Sequence, residues 1–166
     1  MTTEICTDVP DLRSAFRDAM AGVATPVTVV TALSGGLPHG TTVSAFASLS
    51  MSPPMVLVSL DRGSEVLARI REGGRFGVNV LGSGQANLGL AFARKGGVGK
   101  FAGVPWQLEA GVPRIPGAGG FLACEVAHVV QGGDHMVVMG EVLVAEALGG
   151  PPLTYHARRF GTHAPH

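Results

Sequence analysis

An antiparallel β barrel with a few short helices is the fold class this sequence predicts. Apolar residues make up 46% of the chain and charged residues only 14%, so it collapses around a core rather than staying disordered. Its 25 glycines and 11 prolines coexist with that apolar content, a combination suited to many strands joined by tight turns. Strand-like segments also follow one another with only short helices between them, which favours an antiparallel barrel over a parallel α/β sheet.

The elements read as follows. Leu12, Ala15, Phe16, Ala19 and Met20 recur at helical spacing after Pro10 and Asp11; Asp11 is the candidate cap and Gly22 the stop. From Pro26 the period changes, and the β-branched residues 27–33 read as a strand. The turn Ser34-Gly35-Gly36-Leu37-Pro38 leads into residues 41–49, a second extended segment, small and hydroxyl-rich. Pro53-Pro54 breaks the chain, and residues 55–60 read as a buried strand. Ser64 caps a short helix that runs to Glu72 and stops at Gly73. Residues 76–81 form the next strand, and residues 85–94 a helix with Leu88 and Phe92 four apart. A glycine-rich loop occupies residues 95–103. Residues 122–130 and 136–147 are long apolar strands around the turn Gln131-Gly132-Gly133-Asp134, and residues 151–166 read as a tail.

With 166 residues and no linker or repeat, a single domain is expected across 1–166, with its core at about residues 12–160. Such a length buries roughly 70% of the unfolded chain's surface, so no staple is required. A formal net charge of zero argues against nucleic acid. Cys6 and Cys124 lack zinc-ligand spacing and read as free thiols in a reducing compartment. Residues 1–8 lack a basic and an apolar signal region, and no apolar run approaches the ~18 residues of a membrane span. A cytoplasmic protein without a membrane partner is expected. Uninterrupted apolar strands in so small a barrel point to a homodimer.

No nucleophile elbow, Walker loop, GxGxxG after a strand or metal cluster is present, and Gly96-Gly97-Val98-Gly99-Lys100 lacks phosphate-loop spacing. If the chain is an enzyme, a bound cofactor therefore carries its chemistry. Four segments stand out. Gly40 to Ser50 sets five hydroxyls among small residues, which lets a flat ligand approach the backbone; composition alone favours an edge strand with a wet face. Ser59-Leu60-Asp61-Arg62-Gly63-Ser64 precedes a helix, whose start suits a phosphate, though Ser64 as cap explains the serine alone. His135 follows Gly133-Asp134 at a hairpin, where a histidine is either exposed or a ligand contact. Tyr155-His156-Ala157-Arg158-Arg159-Phe160 either holds a dinucleotide or is a solvated tail.

Taken in order, these segments resemble the short-chain flavin reductases, the reductase components of two-component flavin-dependent monooxygenases. The matching pieces are Phe16-Arg17-Asp18-Ala19-Met20, the run from Gly40 to Ser50, Pro53-Pro54-Met55-Val56-Leu57-Val58-Ser59-Leu60 and Ser64. Next come Gly74-Arg75-Phe76-Gly77-Val78-Asn79-Val80-Leu81, Gln85, Phe92-Ala93, Lys100-Phe101 and Trp106. Gly133-Asp134-His135 and Leu153-Thr154-Tyr155-His156 complete the set.

The resemblance implies a Greek-key FMN-binding split barrel that reduces FMN or FAD with NADH or NADPH and supplies a monooxygenase partner. It implies that Thr41, Thr42, Val43, Ser44 and Ala45 hold the flavin ring. Ser59, Leu60, Asp61 and Ser64 would hold the ribityl chain and phosphate, with Lys100 and Phe101 closing over that end and Asn79 and Gln85 nearby. His135, Tyr155, His156 and Arg159 would meet the nicotinamide nucleotide. Three positions depart from the pattern: Thr41 replaces a common methionine, Phe160 a common tyrosine, and the 95–99 loop lacks the usual charges. Rival expectations are a flavin-bound reductase of a corrinoid or iron complex, and a non-catalytic FMN-binding protein. Hydride transfer needs no acid or base, only a nicotinamide positioned over the flavin, so no catalytic side chain is expected.

Overall fold

Asp11 opens helix α1 (Leu12–Ala21) in a computed structural model that describes residues 11–166. Cys6, Pro10 and the rest of the start lie outside the described residues. The predicted apolar face of α1 exists but is bare: Leu12, Phe16 and Met20 are 82%, 64% and 47% exposed. Strands β1 (Thr25–Pro26), β2 (Thr28–Ser34), β3 (Leu37–Val43), β4 (Phe46–Met51) and β5 (Pro54–Asp61) follow. Helix α2 (Glu65–Gly73) is capped by Ser64, whose Oγ accepts from the Leu67 N–H. It ends one residue later than predicted, at Gly74, whose φ of 70° suits glycine. Strand β6 (Arg75–Val80) and helix α3 (Ala86–Ala93) come next, then β7 (Gln107–Glu109), β8 (Val112–Arg114), β9 (Gly120–Gly132), β10 (His135–Ala147), β11 (Thr154–His156) and β12 (Arg159–Gly161).

Seven strands form one antiparallel sheet in the order β3-β2-β6-β9-β10-β5-β4. That order forces closure. β3 and β4 are consecutive in the chain but lie at opposite edges, with only Ser44 and Ala45 between them. A flat sheet would set those edges about 29 Å apart, six gaps of about 4.8 Å. The three Cα steps from Val43 to Phe46 reach at most about 11 Å. The sheet therefore curls until its edges meet, leaving a seam at Ser44-Ala45; the bond from the Ser59 N–H to the Ala45 carbonyl at 2.9 Å extends the β4–β5 ladder up to it. This is the split of a split barrel.

Three expectations need correction. Residues 41–49 are not one strand but the end of β3 and most of β4, because the seam falls between them. Residues 151–166 are not merely a tail: β11 and β12 form a hairpin that adds to β1 in a second sheet. Its turn, Ala157-Arg158, takes positive φ of 49° and 61° without a glycine, so no turn signal announced it. The strand at 55–60 alternates rather than being buried throughout, with Val56, Val58 and Leu60 inward. Those three join Val30, Phe76 and Val138 inside the barrel, closed on one side by Val66, Leu67 and Ile70 of α2. A second cluster packs Val27, Val29 and Leu81 with Phe92 of α3.

Candidate functional site

The seam gathers what the sequence keeps apart. The end of β3 supplies Thr41, Thr42 and Val43, and the link supplies Ser44 and Ala45. The end of β5 supplies Ser59, Leu60 and Asp61, and the α2 cap supplies Ser64. These residues and His135 line one cleft of about 260 Å³. His135 arrives through register, since β10 pairs with β5 and sets it opposite Asp61. The turn between β5 and α2 is tight: Asp61 Oδ1 accepts from the Gly63 N–H at 2.7 Å, and the Asp61 carbonyl accepts from the Ser64 N–H at 2.9 Å. The first N–H groups of α2 are left without helical acceptors and form an anion-favouring end.

Beyond Thr41, Asp61 and Ser64 the cleft widens to about 510 Å³ between α2 and the loop after α3, where Arg94, Lys95 and Lys100 lie. Lys100 Nζ donates to the Gly40 carbonyl at 3.3 Å and the Phe92 carbonyl at 3.1 Å. Burial pushes the Lys100 ammonium below its usual range, opposed by the Glu65 carboxylate. Past Thr42 and Ser44, on the other side, lies an apolar cleft of about 500 Å³ between α3 and the β11–β12 hairpin. Val27, Leu90, Tyr155 and Phe160 line it, with Arg158 and Arg159 at its rim. The Tyr155 and Phe160 rings meet edge-on at 5.4 Å. Arg158 is engaged by Asp18 of α1 at 2.6 Å.

The arrangement suits a long ligand with an anionic end. Its middle is small, hydroxyl-bearing and carries one carboxylate, Asp61, which fits an uncharged flat ring against backbone. Thr42 Oγ1 donates to the Gly89 carbonyl at 2.6 Å, which locks α3 to the seam. His135 stands on the rim with its Nδ1 2.8 Å from Asp134 Oδ1, and this bond holds the Asp134 carboxyl below its usual range.

Four expected contacts are not brought to these clefts. Asn79 is fully buried and spends its amide on the core: Nδ2 donates to the Val29 carbonyl at 3.2 Å, and Oδ1 accepts from the Ile115 N–H at 2.8 Å. Gln85 Oε1 accepts from the Gly82 N–H at 2.9 Å, closing the turn ahead of α3. Phe101 is core, edge-on to Phe92 at 4.8 Å. His156 neighbours Tyr155 on a strand, so it points to the opposite face, and it is exposed. Sequence reasoning missed His39, Glu65, Arg94 and Lys95, all on the wide cleft. The first residue of a helix already suspected of binding phosphate was the available signal for Glu65.

Residues 20–164 match the family described as the flavin reductase like domain. The chain belongs to that family. Among its relatives in this flavin reductase family is the reductase component of 4-nitrophenol 4-monooxygenase/4-nitrocatechol 2-monooxygenase of Rhodococcus opacus. The two are 40% identical over 154 residues, covering 93% of this chain and 83% of the relative. The FMN reductase (NADH) SmoA of Agrobacterium fabrum is 38% identical over 147 residues, covering 88% and 83%. Among solved structures, the NADH:FAD oxidoreductase SgcE6 of Streptomyces globisporus C-1027, in complex with NAD and FAD fragments, superposes with a TM-score of 0.86. It is 34% identical, covering 93% of this chain and 94% of that one.

Proposed function

We propose that this flavin reductase transfers hydride from NADH or NADPH to FMN or FAD at the seam and supplies the reduced flavin to a monooxygenase component. One observation carries the reading. In a chain of this family, the cleft at the split gathers the hydroxyl-rich segment, the α2 start and His135. Bound flavin supplies the hydride-accepting ring. The chain's own residues bind and orient. Residues 41–45 lie along the ring; Ser59 and Ser64 flank the ribityl chain, and the α2 start faces the phosphate. Thr42, tied to α3, fixes the seam wall. His135 on one rim and Tyr155 and Arg159 on the other approach the nicotinamide nucleotide. With no acid or base required, positioning supplies the rate.

In this reading the whole chain is one domain and works as a homodimer in the cytoplasm. The bare face of α1 and exposed Leu49, Met51, Val130 and Leu143 on the barrel wall support a second copy. Among the described residues no helix is long and apolar enough to cross a membrane. Nicotinamide oxidation by flavin-stripped protein, with and without added FMN or FAD, tests the activity. Turnover is expected only with flavin, and an equal rate without it refutes the reading.

A further inference from the structure

The wide cleft holds a group that a phosphate seat has no use for. Glu65 is the first residue of α2, so its carboxylate stands where a helix start draws anions. Its Oε1 lies 3.3 Å from His39 Nδ1 and 4.0 Å from Arg69 Nη2. The His39 side chain is only 7% exposed, and its Nδ1, off the angle for a hydrogen bond to Glu65, has no partner. On the other side the glycine loop makes room. Gly97 has φ 48°, and a Cβ there would stand 2.9 Å from Glu65 Oε2. Glu65 thus reaches from α2 to the glycine loop and shares the lining with the cations Arg94 and Lys95. Asp61 adds a second carboxylate to the lining, and Lys100 is turned toward two carbonyls of the floor.

We infer that Glu65 is a specificity determinant directed against the flavin phosphate: its carboxylate shares the α2 start with that phosphate and weakens it as a handle. Ring and ribityl contacts then carry binding, and a flavin without a phosphate is held nearly as well as FMN. This serves a reductase whose product must leave. The inference rests on the flavin reading above, and like-charge opposition is its physical basis.

The test titrates wild type, Glu65→Gln and Glu65→Lys with FMN and with riboflavin, read by flavin fluorescence. FMN affinity should rise in the order Glu, Gln, Lys, by about three- to tenfold per step for a half-exposed charge, while riboflavin affinity stays within about twofold. A second measurement needs no variant. Between about 0.05 and 0.5 M salt, wild-type FMN affinity should change by less than about threefold, because Asp61 and Glu65 offset the attraction of the α2 start, Arg94 and Lys95. FMN affinity that is unchanged across the variants, or that rises in parallel with riboflavin affinity, overturns the inference and leaves the flavin reading intact. So does a steep loss of wild-type FMN affinity with salt. Wild type that binds neither flavin overturns both.

Discussion

Replacing Asn79 separates a scaffold role from a ligand role. The Asn79 amide is fully buried and bridges β2 to the segment entering β9. Asn79→Ala strands the buried Ile115 N–H and removes a side-chain donor from the Val29 carbonyl, which sits within the β2 ladders. An unsatisfied buried group costs about 1–3 kcal/mol, and the vacated volume adds to that. A loss of about 3 kcal/mol is therefore expected. At about 2–4 °C per kcal/mol for a domain of this size, the melting temperature should fall by about 6–12 °C. Urea melts and a flavin titration of the folded variant measure the two effects separately. Flavin affinity should stay within about twofold, since Asn79 touches none of the clefts. A variant of native stability that has lost flavin would refute this and return Asn79 to the binding site.

Three more perturbations probe the site and its floor. At Gly40 a Cβ would stand 2.7 Å from Phe92 Cε1 and 3.2 Å from Phe101 Cε2, so Gly40→Ala should displace β3 beside Thr41. It should cost about 1–3 kcal/mol in a urea melt and weaken flavin binding with it. His135→Ala should lower kcat/KM for the nicotinamide substrate by about fivefold, the loss of about 1 kcal/mol at a rim contact, with flavin affinity nearly unchanged. In the same variant the Asp134 carboxyl should return to the ordinary range in an NMR titration, since His135 is what depresses it. The sign follows: the pair's contribution is present above the ordinary carboxylate range and is lost as pH falls through the depressed value. Burial pushes the Cys124 thiol up to about 12, so a thiol reagent near pH 8 should label it only when the chain unfolds.

Much of the barrel is legible in the sequence because its strands are apolar or β-branched runs bounded by glycine or proline. Both long strands, β9 and β10, appear as such runs, and their turn falls where Gly133 takes a φ of 64°. The split is not legible. Ser44-Ala45 carries no turn signal, and only the pairing order shows that the strands on either side belong to opposite edges. The β11–β12 hairpin hides for the same reason, as Ala157 and Arg158 hold their turn through neighbours: the Ala157 N–H reaches the Ala21 carbonyl at 2.8 Å, and Arg158 reaches Asp18. Of the cleft lining, the hydroxyl-rich segment and the α2 start could be read in order along the chain. Asn79 and Phe101 misled because sequence order places a residue beside a ligand site without saying whether its side chain points in or out. Glu65 escaped notice because an acidic first residue is also ordinary helix-start chemistry.

The proposed place of the flavin is the seam between β3 and β4. A crystal structure of the chain with FMN tests it most directly. The ring is expected against residues 41–45, with Ser59 and Ser64 along the ribityl chain, the phosphate at the start of α2 and His135 at the rim. A ring found instead in the apolar cleft between α3 and the β11–β12 hairpin, with the seam empty, would contradict it.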